Sequence, residues 1–240
     1  MEEMLKINPE SESLQAARRM SKTALLGRLN DKLDPAHAAL LVIDMQNDFC
    51  AEQGFVCLGG RDVSCVLDMA KNLPSLITAA RAAGVMVVFI RSLYSTADSR
   101  FLSDVWLEQA ARRQGGGYTL HSVCGEGEWG GDYFGDCRPQ AGDVIITKHR
   151  YNAFHGTNLD LILRSNGIRT VVVTGVSTHV CVETTVRDAF IRDFYTVVVG
   201  DGTAAYSAAE HETALKVIDR FFGEITTIEH LTARWSATEV

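Results

Sequence analysis

The chain has no long apolar run. Its longest, such as Ala38–Ile43 and Val85–Ile90, hold about six residues, whereas a membrane-spanning helix needs roughly 20. It has no basic stripe either. Its 23 Lys and Arg are outnumbered by 30 Asp and Glu, giving a net charge of −7, so neither a nucleic-acid partner nor a membrane is expected. No two of the six cysteines (Cys50, Cys57, Cys65, Cys124, Cys137, Cys181) are spaced CxxC. A zinc ribbon or a thioredoxin-type redox pair therefore lacks support, and most of these thiols are expected to be small buried hydrophobes. The first 35 residues carry charges throughout, with no apolar segment of a secretory signal. The expectation is a cytoplasmic protein without disulfides.

What the sequence does have is core-forming material, 46% of it hydrophobic, and a repeating pattern. Residues 1–36 stand apart as a polar, amphipathic N-terminal arm, with Leu14, Ala17, Met20 and Ala24 at helical spacing. Residues 37–240 read as a single domain. Ala38–Asp44, Val85–Arg91, Asp143–Lys148, Thr170–Gly175, Tyr195–Val199 and Ile225–Ile228 read as strands. Helices are expected over Asp62–Ala83, Phe101–Arg113, Leu159–Ser165, Val180–Arg192 and Ser207–Phe222. Asp62 is the expected N-cap of the first, Gly84 its C′ residue, and Pro74 a kink inside it. Residues 118–141 read as a long ordered loop. Strands apolar on both faces, alternating with helices, predict an α/β fold with a parallel sheet covered on both sides.

Sites in such sheets form at the carboxyl ends of the strands. There the sequence places Asp44, Lys148 and, after the turn at Gly175, Cys181 at the start of a helix. Each has a plain structural reading alone: a turn cap, a solvated strand end, a core thiol. Together an acid, an ammonium and a thiol make a coherent nucleophilic site. Cys181 attacks, and needs either to be a thiolate or to have a base at hand. Asp44 is the candidate base, Lys148 holds it, and backbone N–H groups in Val176–Cys181 offer an oxyanion hole. The expected chemistry is amide hydrolysis through a thioester.

Three motifs carry a family resemblance: DMQNDF at 44–49, KHRYNAF at 148–154 and GVSTHVCV at 175–182. In this order they resemble the isochorismatase-like cysteine hydrolases, over roughly residues 36–230. The resemblance implies a Rossmann-like three-layer αβα sandwich with a six-stranded parallel β-sheet, the triad Asp44, Lys148 and Cys181, and a cis peptide at Val176–Ser177 beside the oxyanion hole. It also implies a homo-oligomer, a dimer or tetramer. The segment 50–65 has no histidine, so the metal of the nicotinamidase branch is not expected, and no cofactor is. The ureidoacrylate amidohydrolase branch is the most similar, implying a small ureido or carboxamide substrate that releases ammonia. The alternatives are another amidase of the family (biuret, N-carbamoylsarcosine, maleamate or nicotinamide), or a non-catalytic thiol-sensing protein on this scaffold. Expected substrate contacts are Gln46, Phe49, Tyr94, Arg150, Tyr151, Phe154 and His179, with Arg91, Arg100 and Arg150 as candidate cations for a substrate carboxylate.

Overall fold

In a computed structural model, residues 11–112 and 117–236 are described. Six strands form one sheet: β1 (Ala38–Ile43), β2 (Met86–Ser92), β3 (Val144–Lys148), β4 (Thr170–Val176), β5 (Tyr195–Ala204) and β6 (Glu224–Thr226). All pairings are parallel, in the order β3-β2-β1-β4-β5-β6. The helices are α1 (Glu12–Met20), α2 (Leu29–Lys32), α3 (Asn47–Cys50), α4 (Phe55–Leu58), α5 (Ser64–Ala82), α6 (Asp104–Ala111), α7 (Leu159–Ser165), α8 (Glu183–Ile191), α9 (Ala208–Phe221) and α10 (Ile228–Ser236). None of them is long and apolar enough to cross a membrane.

Period-2 alternation in the central strands sorts side chains into two cores. Leu40, Val42, Phe89, Val172 and Val197 face α5 and α10 through Leu73, Leu76, Leu231 and Trp235. Ala39, Leu41, Ile43, Val88, Val171 and Val173 face α7, α8 and α9 through Leu163, Val186 and Ile218. The result is the three-layer sandwich that the resemblance implies.

Several elements depart from the sequence reading. The helix over 64–82 runs through Pro74 without a break. Proline removes the amide that would bind the carbonyl four residues back; here the Ala70 carbonyl instead faces the Cys137 thiol, at 4.0 Å. Asp62 lies one residue outside the assigned cap, yet its carboxylate accepts from the Ser64 amide (2.8 Å) and hydroxyl (2.9 Å). The fifth strand continues to Ala204, past Gly200 and Gly202, because the sheet shifts register opposite Gly175 and resumes pairing at Thr203. The sixth strand ends at Thr226, and Ile228 opens α10 instead, its amide held by Asp201 Oδ1 at 2.8 Å. The spacing of Ile228, Leu231 and Trp235, all buried, is the helical signal for α10.

In the arm, α1 forms with Ser11 as its cap and buries none of its residues. Farther along, Leu33 is fully buried and its carbonyl accepts from the Trp235 indole at 3.0 Å, so the end of the arm packs on this domain. The first ten residues of the arm, and Arg113, Gly115 and Gly116 at the expected end of α6, lie outside the described residues.

The central strands come unusually close where β4 ends. Gly175 has φ +102, and a Cβ there would sit 2.0 Å from the Ile43 carbonyl oxygen. Neither the backbone angle nor the gap tolerates a side chain. Gly175→Ala is therefore expected to lose on the order of 3 kcal/mol or more. Gly84→Ala, at φ +75 but with open space around it, is expected to cost about 1 kcal/mol. Urea unfolding of both variants checks the contrast; equal losses would mean that close approach at Gly175 is not what matters.

Candidate functional site

Strand register decides what meets at the carboxyl edge. Ile43 pairs with both Ile90 and Gly175, and Ser92 pairs with Lys148. The ends of β1 to β4 thus lie side by side, and the strand order reverses between β1 and β4. Such a switch point leaves a crevice. A cavity of about 600 Å³ opens there, lined at its base by Asp44, Val176, Ser177 and Cys181.

Asp44, one residue past β1, has the left-handed φ of 52. Among non-glycine residues that conformation is uncommon and gathers at functional sites. Lys148 and Asp44 are 0% and 1% exposed and form an ion pair at 2.7 Å. Lys148 Nζ also donates to Ser92 Oγ (2.8 Å) and the Arg150 carbonyl (3.2 Å), and lies 3.6 Å from Cys181 Sγ. Ser92 Oγ donates in turn to Asp44 Oδ1 at 3.0 Å. The carboxylate is therefore pinned through both oxygens, and the ammonium has a full set of acceptors.

The electrostatics follow from burial. Burial works against the Lys148 ammonium, but Asp44 and Cys181 outweigh it and hold its pKa above the ordinary lysine value. Lys148 is a cation at neutral pH. Burial pushes the Cys181 thiol up; Lys148 pulls against this, and the negative charge of Asp44 adds to it. The resting sulfur is a protonated thiol beside a carboxylate. Tyr94 stacks its burial on the same trend, and its phenol is neutral, 3.1 Å from Ser92 Oγ.

Cys181 sits in a π-helical turn, Thr178–Val182, that leads into α8. The Ser177 carbonyl accepts from the Val180 and Val182 amides at 3.0 and 3.2 Å. The Val176–Ser177 peptide is cis. Behind the turn, Thr178 Oγ1 meets His211 Nδ1 at 2.8 Å and Ser177 Oγ meets His179 Nδ1 at 3.2 Å.

Of the contacts expected from sequence, Phe49, Tyr94, Tyr151 and His179 line the cavity. Three do not. Gln46 is fully buried as a clamp, donating to the Ser92 and Gly131 carbonyls and accepting from the Ser92 amide. Arg150 donates to the Phe101 and His149 carbonyls and covers Trp106. Phe154 stacks on Phe194 in the core. The other two cations are also elsewhere: Arg100 pairs with Asp98 on the surface, and Arg91 is not among the residues that line the cavity.

The sequence reading missed Ser92, although the strand-end rule that picks out Lys148 also reaches it. It also missed Arg61, Tyr206 and Glu210, which line the cavity from outside the motifs. Asp48 went unassigned too. Its carboxylate accepts from the Phe55 and Cys124 amides at 3.1 and 2.7 Å, tying two cavity loops together. Among the described residues, no three His, Cys, Asp or Glu are grouped to hold a metal ion.

The isochorismatase domain family matches residues 38–230. A ureidoacrylate amidohydrolase RutB from Pantoea ananatis is 35% identical over 205 residues, which cover 82% of this chain and 81% of that protein. Among solved structures, a cysteine hydrolase from Pseudomonas syringae pv. phaseolicola superposes with a TM-score of 0.73 at 27% identity, covering 91% of this chain and all of the other. N-carbamoylsarcosine amidase from Thermoplasma acidophilum superposes at 0.63 with 28% identity, covering 80% and 97%. A match along most of the domain, relatives that share its length, and a thiol, carboxylate and ammonium at one sheet edge agree: this chain belongs to the isochorismatase family of hydrolases.

Proposed function

We propose that this protein is a cysteine amidohydrolase that releases ammonia from a small ureido or carboxamide compound, of the kind named for its ureidoacrylate-hydrolysing relatives. The observation that carries the reading is the cluster Asp44–Lys148–Cys181: a buried ion pair at 2.7 Å whose ammonium lies 3.6 Å from the Cys181 sulfur.

Asp44 takes the thiol proton as Cys181 Sγ attacks the carbonyl carbon. The amides of Ser177 and Cys181 receive the oxyanion, since those of Val180 and Val182 are engaged by the Ser177 carbonyl. Collapse breaks the C–N bond. Asp44 returns its proton to the leaving NH₂, and ammonia departs. A thioester remains, or a thiocarbamate where the substrate is a ureido compound. Asp44 then removes a proton from water, which attacks the same carbon. The second collapse expels sulfur, which regains its proton, and frees the acid; a carbamic acid so formed decays to amine and carbon dioxide. Lys148 stays charged throughout and offsets the negative charge that moves between Asp44 and the oxyanion.

Aromatic walls from Phe49, Tyr94 and Tyr151 suit a small planar substrate and exclude water from the sulfur. The same family scaffold serves other small amides, so the substrate panel spans N-carbamoyl acids, biuret, maleamate and nicotinamide.

Ammonia release from one or more of these is expected in the wild type, and its loss by at least about 10³-fold in Cys181→Ala. Turnover that survives Cys181→Ala would overturn the mechanism; silence across the panel would favour thiol sensing. Alkylation of Cys181 by iodoacetamide, followed by mass spectrometry, reads the resting sulfur. Because the thiol pKa is raised, the rate is expected to climb continuously from pH 7 through pH 10, and a plateau reached below about pH 8 would reveal a resting thiolate. Ser92→Ala removes one hydrogen bond from Asp44 and one from Lys148. It is expected to lower kcat roughly 10- to 100-fold with KM little changed, and a change in KM alone would deny Ser92 this positioning role.

A further inference from the structure

Two successive residues of α9 reach the turn that carries Cys181. Thr178, which opens that turn, is fully buried, and its Oγ1 lies 2.8 Å from His211 Nδ1. One residue earlier on each side, Glu210 reaches Ser177 through His179. Glu210 Oε2 is 3.7 Å from His179 Nε2, and His179 Nδ1 is 3.2 Å from Ser177 Oγ. The helix that supplies both residues is anchored in the core through Ala214 and Ile218. His211 stands in its first turn, with its amide donating to the Ser207 carbonyl at 3.1 Å. Burial holds the His211 imidazole below the ordinary histidine value, against the opposing pull of Glu212. The ring is therefore neutral at neutral pH, and Nδ1 offers either a lone pair or a proton. In either tautomer one member of the Thr178–His211 pair donates and the other accepts.

The turn itself is π-helical, a form that is rare and gathers at functional sites. Its downstream end is held by α8, where the Cys181 carbonyl accepts from Thr185 Oγ1 at 2.7 Å. Its upstream end is tied to a second helix by the Thr178–His211 pair. We propose that His211 is a positioning residue for the reaction: it holds Thr178, and through Thr178 the turn whose Ser177 and Cys181 amides receive the oxyanion. This inference rests on the amidohydrolase reading and adds to it a residue from outside the three motifs. Neither His211 nor Thr178 lines the cavity, so an effect of either on turnover passes through the turn. A displacement of about 1 Å in such a site costs roughly 100-fold in rate.

The test uses three single variants. His211→Leu keeps the bulk and loses the polar atom. In His211→Asn the amide takes the place of Nδ1. Thr178→Val exchanges a hydroxyl for a methyl, and gives the same reading should His211→Leu not fold. On a substrate that wild type hydrolyses, kcat is expected to fall roughly 10- to 100-fold in His211→Leu with KM little changed, and to be largely retained in His211→Asn. Thr178→Val is expected to match His211→Leu, and the double variant to be no worse than either. Losses that multiply in the double variant, or an unchanged kcat in both singles, overturn the proposal. A second readout needs no turnover. Cys181 Sγ adds to the carbonyl carbon of propionaldehyde, and the thiol proton passes to the carbonyl oxygen. The thiohemiacetal so formed sets that oxygen in the oxyanion hole, and it is read as protection of Cys181 from iodoacetamide, followed by mass spectrometry. Roughly 10-fold more aldehyde is expected to be needed in His211→Leu and Thr178→Val than in wild type and His211→Asn. Equal protection throughout, or none in wild type, overturns the proposal. A merely structural role would lower the urea midpoint and leave both readouts as in wild type. If wild type releases ammonia from no compound of the panel while the aldehyde series holds, the amidohydrolase reading fails and the role of His211 at the turn stands.

Discussion

A buried lysine is costly unless its charge is answered, and Lys148 is fully buried. The 2.7 Å ion pair with Asp44 answers it, and the rest of the site is arranged around keeping that pair intact. Removing one partner of such a pair alone typically costs about 3–5 kcal/mol, because the other is left uncompensated. Ser92 and the Arg150 carbonyl supply the ammonium's remaining acceptors. The same pair sets the chemistry. It keeps a carboxylate and an ammonium together in a place where water is scarce, and it brings both against a thiol that burial keeps protonated. In the mechanism proposed above, Asp44 acts as base toward Cys181 once a carbonyl arrives.

Everything near the pair is backbone-determined to an unusual degree. Parallel register aligns the ends of β1 to β4, and the missing side chain of Gly175 lets β4 approach the Ile43 carbonyl. Asp44 then leaves β1 in a left-handed conformation that turns the chain sharply at the sheet edge. The turn bearing Cys181 is closed by the Ser177 carbonyl and backed by His211 through Thr178. A rigid sheet edge thus sets the triad geometry, and side chains of the loops fill in around it.

The loops have their own fasteners. Gln46 ties the end of β2 to Gly131, and Asp48 ties Phe55 to Cys124. Gly130 packs so closely on Asp48 that a Cβ there would lie 2.3 Å from the carboxylate. Both residues belong to the DMQNDF motif, yet neither lines the cavity. They hold in place the wall that gives the cavity its depth, and so connect the motif to the rim where Arg61 and Glu210 stand.

The sequence by itself determined the layers, the parallel sheet and the three chemical groups. Runs such as Ala38–Ile43 and Thr170–Gly175 are apolar on both faces, as the strands of a covered parallel sheet are, and strand-end position, together with the thiol at Cys181, picked out Asp44 and Lys148. Helix periodicity placed α5, α7 and α9 for the same local reason. What lies beyond local pattern was decided by tertiary structure. Pro74 does not break α5, and the Ala70 carbonyl that it strands faces the thiol of Cys137, 67 positions away. Gln46, Arg150 and Phe154 sit in the right motifs, but their side chains point to partners that no spacing reveals. Arg61 and Glu210 are 149 positions apart, and each alone reads as a solvated charge. Side-chain direction and long-range pairing depend on how the layers pack, so the cavity's rim became legible only in three dimensions.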